Sequence, residues 1–283
     1  DAGATWSVPT IVNMRKDHEQ SLLVGPGRGM VTSKGRILFT AYEFTGSDKN
    51  SVAIYSDDGG KTWERGKSVS GWSSEAVVTE ADGKLYMFTR HGGYYTSDDF
   101  GETWSTQKNM GISYWLNCQL TAITYPKKID GKTAILFATP SSSSGRAAGK
   151  IFVGLVQDDG TLDWKYNYSI NGSAYYAYSC LTILPDGTIG LLYESDGTVI
   201  TYEDFDIEDV AKGAAIGNIW CTDENGTVAD VTMTSDMSKK LTVNGLKDGA
   251  KVEVSSDNEN AVTAAYADGE VTLTSKTVTG MEK

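Results

Sequence analysis

Two oppositely charged residues stand at the outer ends of a predicted hairpin. Glu75 lies near the start of the alternating segment SSEAVVTEADGKLYMFTR, a short turn follows at 81–83, and Arg90 ends the return strand. A hairpin brings its outer ends together, so the carboxylate and the guanidinium are expected at one edge of the sheet. The pair can be a solvated cross-strand ion pair, which contributes little to stability, or it can take part in binding a ligand.

A second arginine and a tyrosine occupy comparable positions at strand ends. Arg146 follows the small polar loop TPSSSSG, and Tyr178 stands at the start of a strand in GSAYYAYSCLTIL. Taken alone, the arginine also fits a surface loop, and the tyrosine fits the core or its rim. Guanidinium groups bind carboxylates through planar, charge-assisted pairs of hydrogen bonds. Two arginines that meet in the fold could therefore bind one acidic ligand.

The net charge of the chain makes such a site a local exception. The 283 residues include 25 Lys and Arg against 37 Asp and Glu, a formal net charge of −12 at pH 7. This balance argues against a nucleic-acid partner, because nucleic-acid binding relies on a basic surface. An anionic ligand must instead be held by a local cluster of basic side chains. No apolar run reaches the roughly 20 residues that a membrane-spanning helix needs.

The cysteines and histidines do not predict a metal site. Cys118, Cys180 and Cys221 lack metal-ligand spacing and are odd in number. They are expected to be small buried apolar residues, and the sequence gives a Cys118–Cys180 disulfide no support. His18 and His91 show no partner pattern, so neither a metal nor another cofactor is expected.

Short alternating segments must position the candidate residues. They are bounded by Gly, Asp, Asn and Ser turns, which is typical of antiparallel strands. The predicted strands lie at 35–42, 51–56, 84–90, 133–140, 150–156, 188–194 and 197–203. Helical periodicity is nearly absent, and 203–214 is expected to form one or two helical turns. The pattern predicts an all-β fold.

An internal repeat narrows the architecture to a propeller. SDDGGKTW (56–63) and SDDFGETW (97–104) share the pattern Ser-x-Asp-x-Gly-x-Thr-Trp, DAGATW (1–6) matches it from its Asp onward, and QDDGTLDW (157–164) is a degenerate copy. The intervals between these Asp boxes suit one four-stranded propeller blade each. In each box the Asp is expected to accept backbone N–H groups across a turn, while Gly supplies a positive φ. The boxes are therefore structural.

The C-terminal part has a different composition. From residue 221 the chain is rich in Thr, Val, Ser and Asp and contains no Trp. We therefore predict two domains, a propeller at 1–220 and a small immunoglobulin-like β-sandwich at 221–283.

These motifs together resemble the bacterial exo-sialidases of glycoside hydrolase family 33, over about residues 1–205. Asp boxes alone are weak evidence, but their combination with the order Glu, Arg, Arg, Tyr is specific. Besides the boxes, the matching segments are 24–31 (VGPGRGMV), 35–42 (GRILFTAY), 74–90 (SEAVVTEADGKLYMFTR), 117–126 (NCQLTAITYP), 144–155 (SGRAAGKIFVGL) and 177–194 (AYSCLTILPDGTIGLLYE). The resemblance implies a six-bladed β-propeller, of which this chain would contain about four blades.

The resemblance also implies catalytic roles. Tyr178 would be the nucleophile, Glu75 its partner base, and Arg90 and Arg146 two members of an arginine triad that binds the sugar's carboxylate. A neutral phenol avoids the repulsion that a carboxylate nucleophile meets at an acidic sugar, and tyrosine is a recorded exception among glycosidases. A phenol with a pKa near 10 needs an adjacent base at neutral pH.

Four further residues are weaker candidates for sugar contacts. Arg28 and Tyr42 come from segments that lie near the leaving group in similar enzymes, which makes them candidate leaving-group contacts. Asn117 and Gln119 could hydrogen-bond sugar hydroxyls.

Two parts of the family's site are not found in the sequence. They are the first arginine of the triad, in an Arg-Ile-Pro type motif, and the aspartic acid that protonates the leaving group. VNMRKDHEQS (12–21) contains Arg15 and Asp17 but not the motif. Because the chain starts inside an Asp box, we predict that it is the second part of a sialidase. A companion N-terminal segment would then complete the propeller and the site.

The predicted function is that of an exo-α-sialidase, which releases terminal sialic acids from glycoconjugates with retention. The alternatives are a non-catalytic sialoglycan-binding propeller, an intramolecular trans-sialidase, and an Asp-box propeller for another ligand. The last of these would need paired acids facing one cleft, which the sequence does not show. Sialylated glycans as partners imply an extracellular or cell-surface location.

Overall fold

A computed structural model of the chain describes residues 4–69, 71–214, 216–217, 220–224, 226–228, 231, 233–244, 246, 251–256 and 258–277. The chain divides into two compact units. The larger comprises 1–125, 132–184 and 188–213, and the smaller comprises 126–131, 185–187 and 214–283.

The first sheet of the larger unit contains five antiparallel strands. They are β1 (Ser21–Val24), β2 (Met30–Val31), β3 (Ile37–Phe44), β4 (Lys49–Ser56) and β5 (Glu64–Arg65). β1 and β2 both pair with β3, so the chain leaves the sheet at 25–29 and returns to it. β4 then pairs with β3 on one side and β5 on the other.

Three more sheets of this unit follow an up-and-down order. The second consists of β6 (Ala76–Ala81), β7 (Lys84–Thr89) and β8 (Tyr94–Ser97). The third consists of β9 (Thr121–Thr124), β10 (Ala134–Pro140), β11 (Gly149–Val156) and β12 (Leu162–Ser169). The fourth consists of β13 (Ser179–Ile183), β14 (Ile189–Glu194) and β15 (Ile200–Phe205), and the one-turn helix α1 (Ile207–Val210) follows it.

Apolar cores join neighbouring sheets face to face. Leu38 of the first sheet and Leu85 of the second are buried in one core, and Phe88 of the second and Phe137 of the third are buried in another. Burial of each such side chain stabilises the fold by about 1.5–3 kcal/mol. The sheets therefore stack as neighbouring blades do.

The first strands of the second, third and fourth sheets lie side by side. The hydroxyls of Thr79 in β6 and Thr124 in β9 are 2.8 Å apart. The backbone N–H of Leu181 in β13 donates to Thr121 Oγ1 of β9 at 3.1 Å. This arrangement gathers the residues that precede β6, β9 and β13 at one end of three adjacent strands.

Both complete Asp boxes form the predicted turn. Asp58 accepts a hydrogen bond from the Thr62 backbone N–H at 2.8 Å, and Asp99 accepts one from Thr103 at 2.9 Å. Gly101 adopts φ 93°, as the box requires of its glycine. In the degenerate copy, Asp159 still accepts from the Thr161 N–H at 2.9 Å. The first copy begins at residues 1–3, which lie outside the described residues.

The prediction of an all-β fold is confirmed, and all seven predicted strands are present. The helix at 207–210 matches the short helical segment expected within 203–214. β12 was not predicted, although its apolar and polar residues alternate and its side chains are alternately half-buried and exposed. The number of blades, six in all with about four in this chain, stays a prediction.

The described part of the smaller unit contains one antiparallel sheet. Its strands are β16 (Trp220–Asp223), β17 (Gly226–Val228), β18 (Ser238–Asn244), β19 (Val262–Ala267) and β20 (Glu270–Ser275), in the order β17-β16-β18-β20-β19. The second sheet of the predicted sandwich is not among the described residues. The immunoglobulin-like module at 221–283 therefore stays a prediction.

The three cysteines have free thiols. Cys118 is fully buried, as expected, and burial raises the pKa of its thiol to about 11. Cys180 and Cys221 are partly exposed.

Candidate active site

The β6–β7 hairpin places Glu75 and Arg90 side by side. Ala76 pairs with Thr89 at the open end of the hairpin, and the Arg90 N–H donates to the Glu75 carbonyl at 2.8 Å. Asp82, at the other end, has φ 49°, which a short polar residue tolerates in a tight turn. Local strand pairing therefore fixes the relation between the carboxylate and the guanidinium.

Tyr178 joins this pair from a distant part of the chain. Its hydroxyl donates to Glu75 Oε1 at 2.8 Å and lies 3.1 Å from Oε2. Arg90 Nη1 donates to Glu75 Oε2 at 2.8 Å and to the Tyr178 hydroxyl at 3.0 Å. Phenol, carboxylate and guanidinium thus form a closed three-membered cluster.

A second guanidinium faces the phenol ring. The Arg146 guanidinium carbon lies 5.1 Å from the centre of the Tyr178 ring, within the range of a cation–π interaction. The Arg146 carbonyl accepts a hydrogen bond from the Tyr176 N–H at 3.1 Å, so the two segments are joined along the backbone. Both predicted arginines therefore lie beside the same tyrosine.

Close packing fixes the segment that carries Tyr178. Tyr176 is fully buried and stacks on Tyr193 with 4.9 Å between ring centres. A Cβ atom at Gly149 would lie 2.2 Å from the Tyr176 ring, so this approach requires glycine. Tyr178 backbone atoms then pair with Glu194, whose N–H donates to the Tyr178 carbonyl at 3.0 Å.

The surroundings of Tyr178 favour its neutral form. Burial raises the pKa of the phenol, and the hydrogen bond and negative charge of Glu75 raise it further. Arg90 and Arg146 lower it but do not offset those effects, and the pKa is about 12. The hydroxyl therefore keeps its proton at neutral pH and directs it at Glu75.

One segment ahead of β9 touches both sides of the cluster. The backbone carbonyl and side-chain Oδ1 of Asn117 accept hydrogen bonds from Arg90 Nη2 at 3.2 and 2.9 Å. Two residues later, Gln119 Oε1 accepts from the Ser179 N–H at 2.8 Å and Gln119 Nε2 donates to the Ser179 carbonyl at 3.0 Å. The segment 117–119 therefore connects Arg90 to the residue that follows Tyr178.

A family model described as "BNR repeat-like domain" matches residues 1–202. This chain belongs to that family.

The curated relatives of this BNR-repeat chain include sialidases. It is 36% identical to the anhydrosialidase of Macrobdella decora over 77% of this chain and 32% of the relative. It is 37% identical to sialidase B of Streptococcus pneumoniae over 66% of this chain and 30% of the relative. The predicted relationship to bacterial sialidases is confirmed. The chain spans about a third of the length of these two relatives.

Solved structures show the same relationship. The crystal structure of the intramolecular trans-sialidase from Ruminococcus gnavus, in complex with oseltamivir carboxylate, is 34% identical to this chain. The match has a TM-score of 0.67 and covers 75% of this chain and 50% of the solved chain.

The BNR-repeat fold brings one of the two predicted leaving-group contacts to the cluster. Tyr42 of β3 lies close enough for the charges of Glu75 and Arg90 to act on it, and its pKa is raised chiefly by burial and then by Glu75. Arg28 lies elsewhere, where its Nη1 donates to the Leu181 carbonyl at 3.4 Å. It lines a separate cavity of about 350 Å³.

The two predicted hydroxyl contacts differ in exposure. Asn117 is exposed beside Arg90. Gln119 is 3% exposed and its amide is bonded to Ser179, so its side chain holds the backbone instead of facing the site. Local sequence patterns do not predict this role, because the bonded residue, Ser179, lies 60 residues away.

No helix in the described ranges is long and apolar enough to cross a membrane. The described residues also contain no group of three or more His, Cys, Asp or Glu that could hold a metal ion.

Proposed function

We propose that this chain carries the nucleophile, base and carboxylate-binding arginines of an exo-α-sialidase. The observation that carries the proposal is the 2.8 Å hydrogen bond from the Tyr178 hydroxyl to Glu75, with Arg90 bonded to both. The names of the relatives support sialic acid as the substrate class. Hydrolysis would release terminal sialic acids from glycoconjugates with retention.

In the first step, Tyr178 would attack the anomeric carbon of the bound sugar. The phenol oxygen forms a bond to that carbon as the bond to the leaving oxygen breaks, and the phenol proton passes to Glu75. Arg90 donates a hydrogen bond to the phenol oxygen, which would stabilise the negative charge that develops there. Arg90 and Arg146 are proposed to bind the sugar's carboxylate, which neutral Tyr178 does not repel.

In the second step, water would attack the anomeric carbon of the tyrosine-bound sugar and lose a proton to the residue that protonated the leaving oxygen. The bond to Tyr178 breaks, Glu75 returns the proton to the phenol oxygen, and sialic acid leaves with its original anomeric configuration. Two displacements at one carbon give this retention.

We propose that a companion segment completes the site. Glu75 is the one carboxylate among the described residues that are hydrogen-bonded within the cluster. It already accepts the hydrogen bond from the Tyr178 phenol, so another acid is needed. The acid for the leaving oxygen and a third guanidinium would come from that segment, since the relatives are about three times longer. Size-exclusion chromatography with peptide mapping of an active preparation tests this. Activity in a pure monomer of only these 283 residues would contradict it.

Hydrolysis of a fluorogenic sialoside tests the proposed activity. We expect release of the fluorophore by the parent protein, which here means this chain together with its companion segment. Tyr178→Phe keeps the ring but has no nucleophile, so kcat should fall roughly 10³-fold or more. Tyr202→Phe, at a half-exposed position of β15, is the matched control and should match the parent. If the parent shows no hydrolysis and binds sialoglycans with the same affinity as Tyr178→Phe, the result would favour the non-catalytic binding propeller instead.

Intramolecular transfer is the second candidate, because the Ruminococcus gnavus relative is named as an intramolecular trans-sialidase. In that reaction a hydroxyl of the bound sugar, in place of water, attacks the anomeric carbon and displaces Tyr178. The product is an anhydro sugar that lacks one water molecule relative to sialic acid. Mass spectrometry of the product separates the two reactions.

The proposed substrate implies an extracellular or cell-surface location. Fractionation of the producing cells would test the location.

A further inference from the structure

Trp72 has a backbone conformation that large residues avoid. It lies three residues before Glu75, its φ is 61°, and its side chain is 47% exposed. A positive φ in a bulky residue is a rare outlier and costs about 1–3 kcal/mol. Ser74 in the same loop has φ 55°. The fold therefore sustains strain beside the proposed base while it leaves a large apolar ring in water.

The loop does not need the exposed ring for its own stability. Buried bonds hold it, since Ser73 Oγ accepts from the Ser51 N–H and Ser51 Oγ donates to the Ser74 carbonyl, both at 2.6 Å. The Ser74 N–H donates to the Lys49 carbonyl at 2.9 Å. These contacts hold the residues next to Glu75 through serine side chains and the backbone.

Neighbouring side chains fix the indole in place. Its Nε1–H donates to the Ser47 carbonyl at 2.8 Å. Its ring meets the ring of His91 edge-on, with 5.5 Å between centres and 61° between planes. The Lys49 ammonium lies 5.5 Å from the indole centre. The ring is thus held rigidly, which lowers the entropy that a ligand would lose on contact.

This aromatic corner adjoins the proposed sialic-acid site. His91 directly follows Arg90, and Trp72 shares its loop with Glu75. Burial and the positive charges of Arg90 and Lys49 lower the pKa of His91, so its imidazole is neutral at pH 7 and can exchange hydrogen bonds with hydroxyl groups.

We propose that Trp72, with His91 and Lys49 beside it, forms a subsite for the neutral sugar that adjoins sialic acid in the glycan. The apolar C–H face of that sugar would stack on the indole, and its hydroxyls would bond to His91 and Lys49. This subsite rests on the proposed sialidase function and extends it to the leaving group. It gives the protein a preference for sialic acid linked to another sugar over sialosides of small alkyl alcohols such as methanol.

Saturation-transfer NMR with 3′-sialyllactose tests the subsite. A Tyr178→Phe background prevents turnover, and the readout is the ratio of the galactose signals to the sialic-acid signals. We expect Trp72→Ala to lower this ratio roughly fivefold, equivalent to about 1 kcal/mol of lost stacking. Trp72→Phe, which keeps an aromatic face, should retain most of it.

Trp6→Ala is the matched control, because Trp6 is also exposed, at 87%, and takes no part in the proposed site. It should leave the ratio unchanged, and thermal unfolding should show that each variant is folded. An unchanged ratio in folded Trp72→Ala overturns the subsite. Absence of any sialic-acid signal in the background protein would instead overturn the proposed function.

Kinetic measurements on protein that retains Tyr178 give an independent readout. The quantity measured is kcat/KM for 3′-sialyllactose divided by kcat/KM for the methyl α-sialoside, whose leaving group has no ring to stack on the indole. We expect Trp72→Ala to lower this quotient roughly fivefold. Equal losses on both substrates would show a merely structural role and overturn the proposal.

Discussion

The hydroxyl proton of Tyr178 is directed at one carboxylate, that of Glu75. With a pKa of about 12, only about one phenol in 10⁵ is ionised at pH 7. In the proposed reaction, attack therefore begins from the neutral phenol, with the proton moving to Glu75 during the step. The hydrogen bond that raises the pKa is the same bond that would deliver the proton.

Glu75→Gln tests this division of labour. The amide keeps the shape of the carboxylate but does not accept the proton, so we expect kcat to fall about 10²–10⁴-fold. Removal of the negative charge should also lower the pKa of Tyr178 below about 12. Ultraviolet titration of this variant against its Tyr178→Phe double variant measures that shift.

Glu80→Gln serves as the control for this experiment. Glu80 lies on β6 like Ala76, but its carboxylate accepts from Ser33 instead of from Tyr178. We expect its kcat to match the parent. Equal losses in the two variants would contradict the assignment of Glu75 as the base.

Among the structural elements, the segment before β9 connects two sheets at the site. It binds Arg90 through Asn117 and the Ser179 backbone through Gln119, so it fixes two sheets relative to each other. A displacement of the phenol by about 1 Å can cost roughly 10²-fold in rate, because attack depends on alignment.

Gln119→Met removes the amide but keeps most of the volume. We expect kcat to fall roughly 10- to 100-fold, while the affinity for a sialic-acid analogue, set by the arginines, changes little. Thr79→Val is the control, since it removes a buried bond between sheets at Thr124 without touching Ser179. If Gln119→Met and Thr79→Val are equally stable and lose kcat equally, loss of any inter-sheet bond has this effect, which would contradict a specific role of Gln119.

A buried ionic cluster attaches the segment around Glu19 to the first sheet. Arg65 Nη2 donates to Glu19 Oε1 at 2.7 Å and also bonds to Glu43, and all three side chains are nearly buried. Burial acts to raise the pKa of Glu19, but hydrogen bonds from Arg65 and from the Lys16 N–H hold it well below the ordinary value. His18 lies 3.9 Å from the same carboxylate.

This cluster predicts a pH-dependent stability. Because the folded pKa of Glu19 is depressed, its contribution is present above the unfolded pKa of about 4.3 and is lost as pH falls below it. We expect Glu19→Gln to lower the unfolding free energy by about 3–5 kcal/mol at pH 7, and by clearly less near pH 3. Urea titrations at both values measure this. Glu64→Gln, at an exposed carboxylate of β5, should show neither effect, and a loss in Glu19→Gln that is equal at both values would contradict the account.

Sequence reasoning worked where contacts are local. The Glu75–Arg90 pair follows from one hairpin, and the Asp-box turns follow from spacings of four residues. It did not predict the role of Gln119, whose partner lies 60 residues away. It also grouped Arg28 with Tyr42, although the loop between β1 and β2 carries Arg28 to another cavity. Such placements depend on how sheets stack, which strand periodicity does not specify.

For the whole molecule, the site is a small basic area in an acidic chain. The formal net charge is −12, yet Arg90 and Arg146 both lie beside Tyr178. A sialylated glycan, the proposed ligand, is anionic, so the net charge of the chain repels it and the paired guanidiniums attract it. The proposal therefore makes specific binding depend on these few side chains.

Covalent trapping tests the central claim most directly. A fluorinated sialic acid with a good leaving group forms the sugar–tyrosine bond but slows its hydrolysis, because the fluorine destabilises the positively charged transition state. Peptide mass spectrometry of the trapped, active protein should find the sugar on the peptide that contains Tyr178. A sugar attached to any other residue, or no attachment despite loss of activity, would contradict the assignment of Tyr178 as the nucleophile.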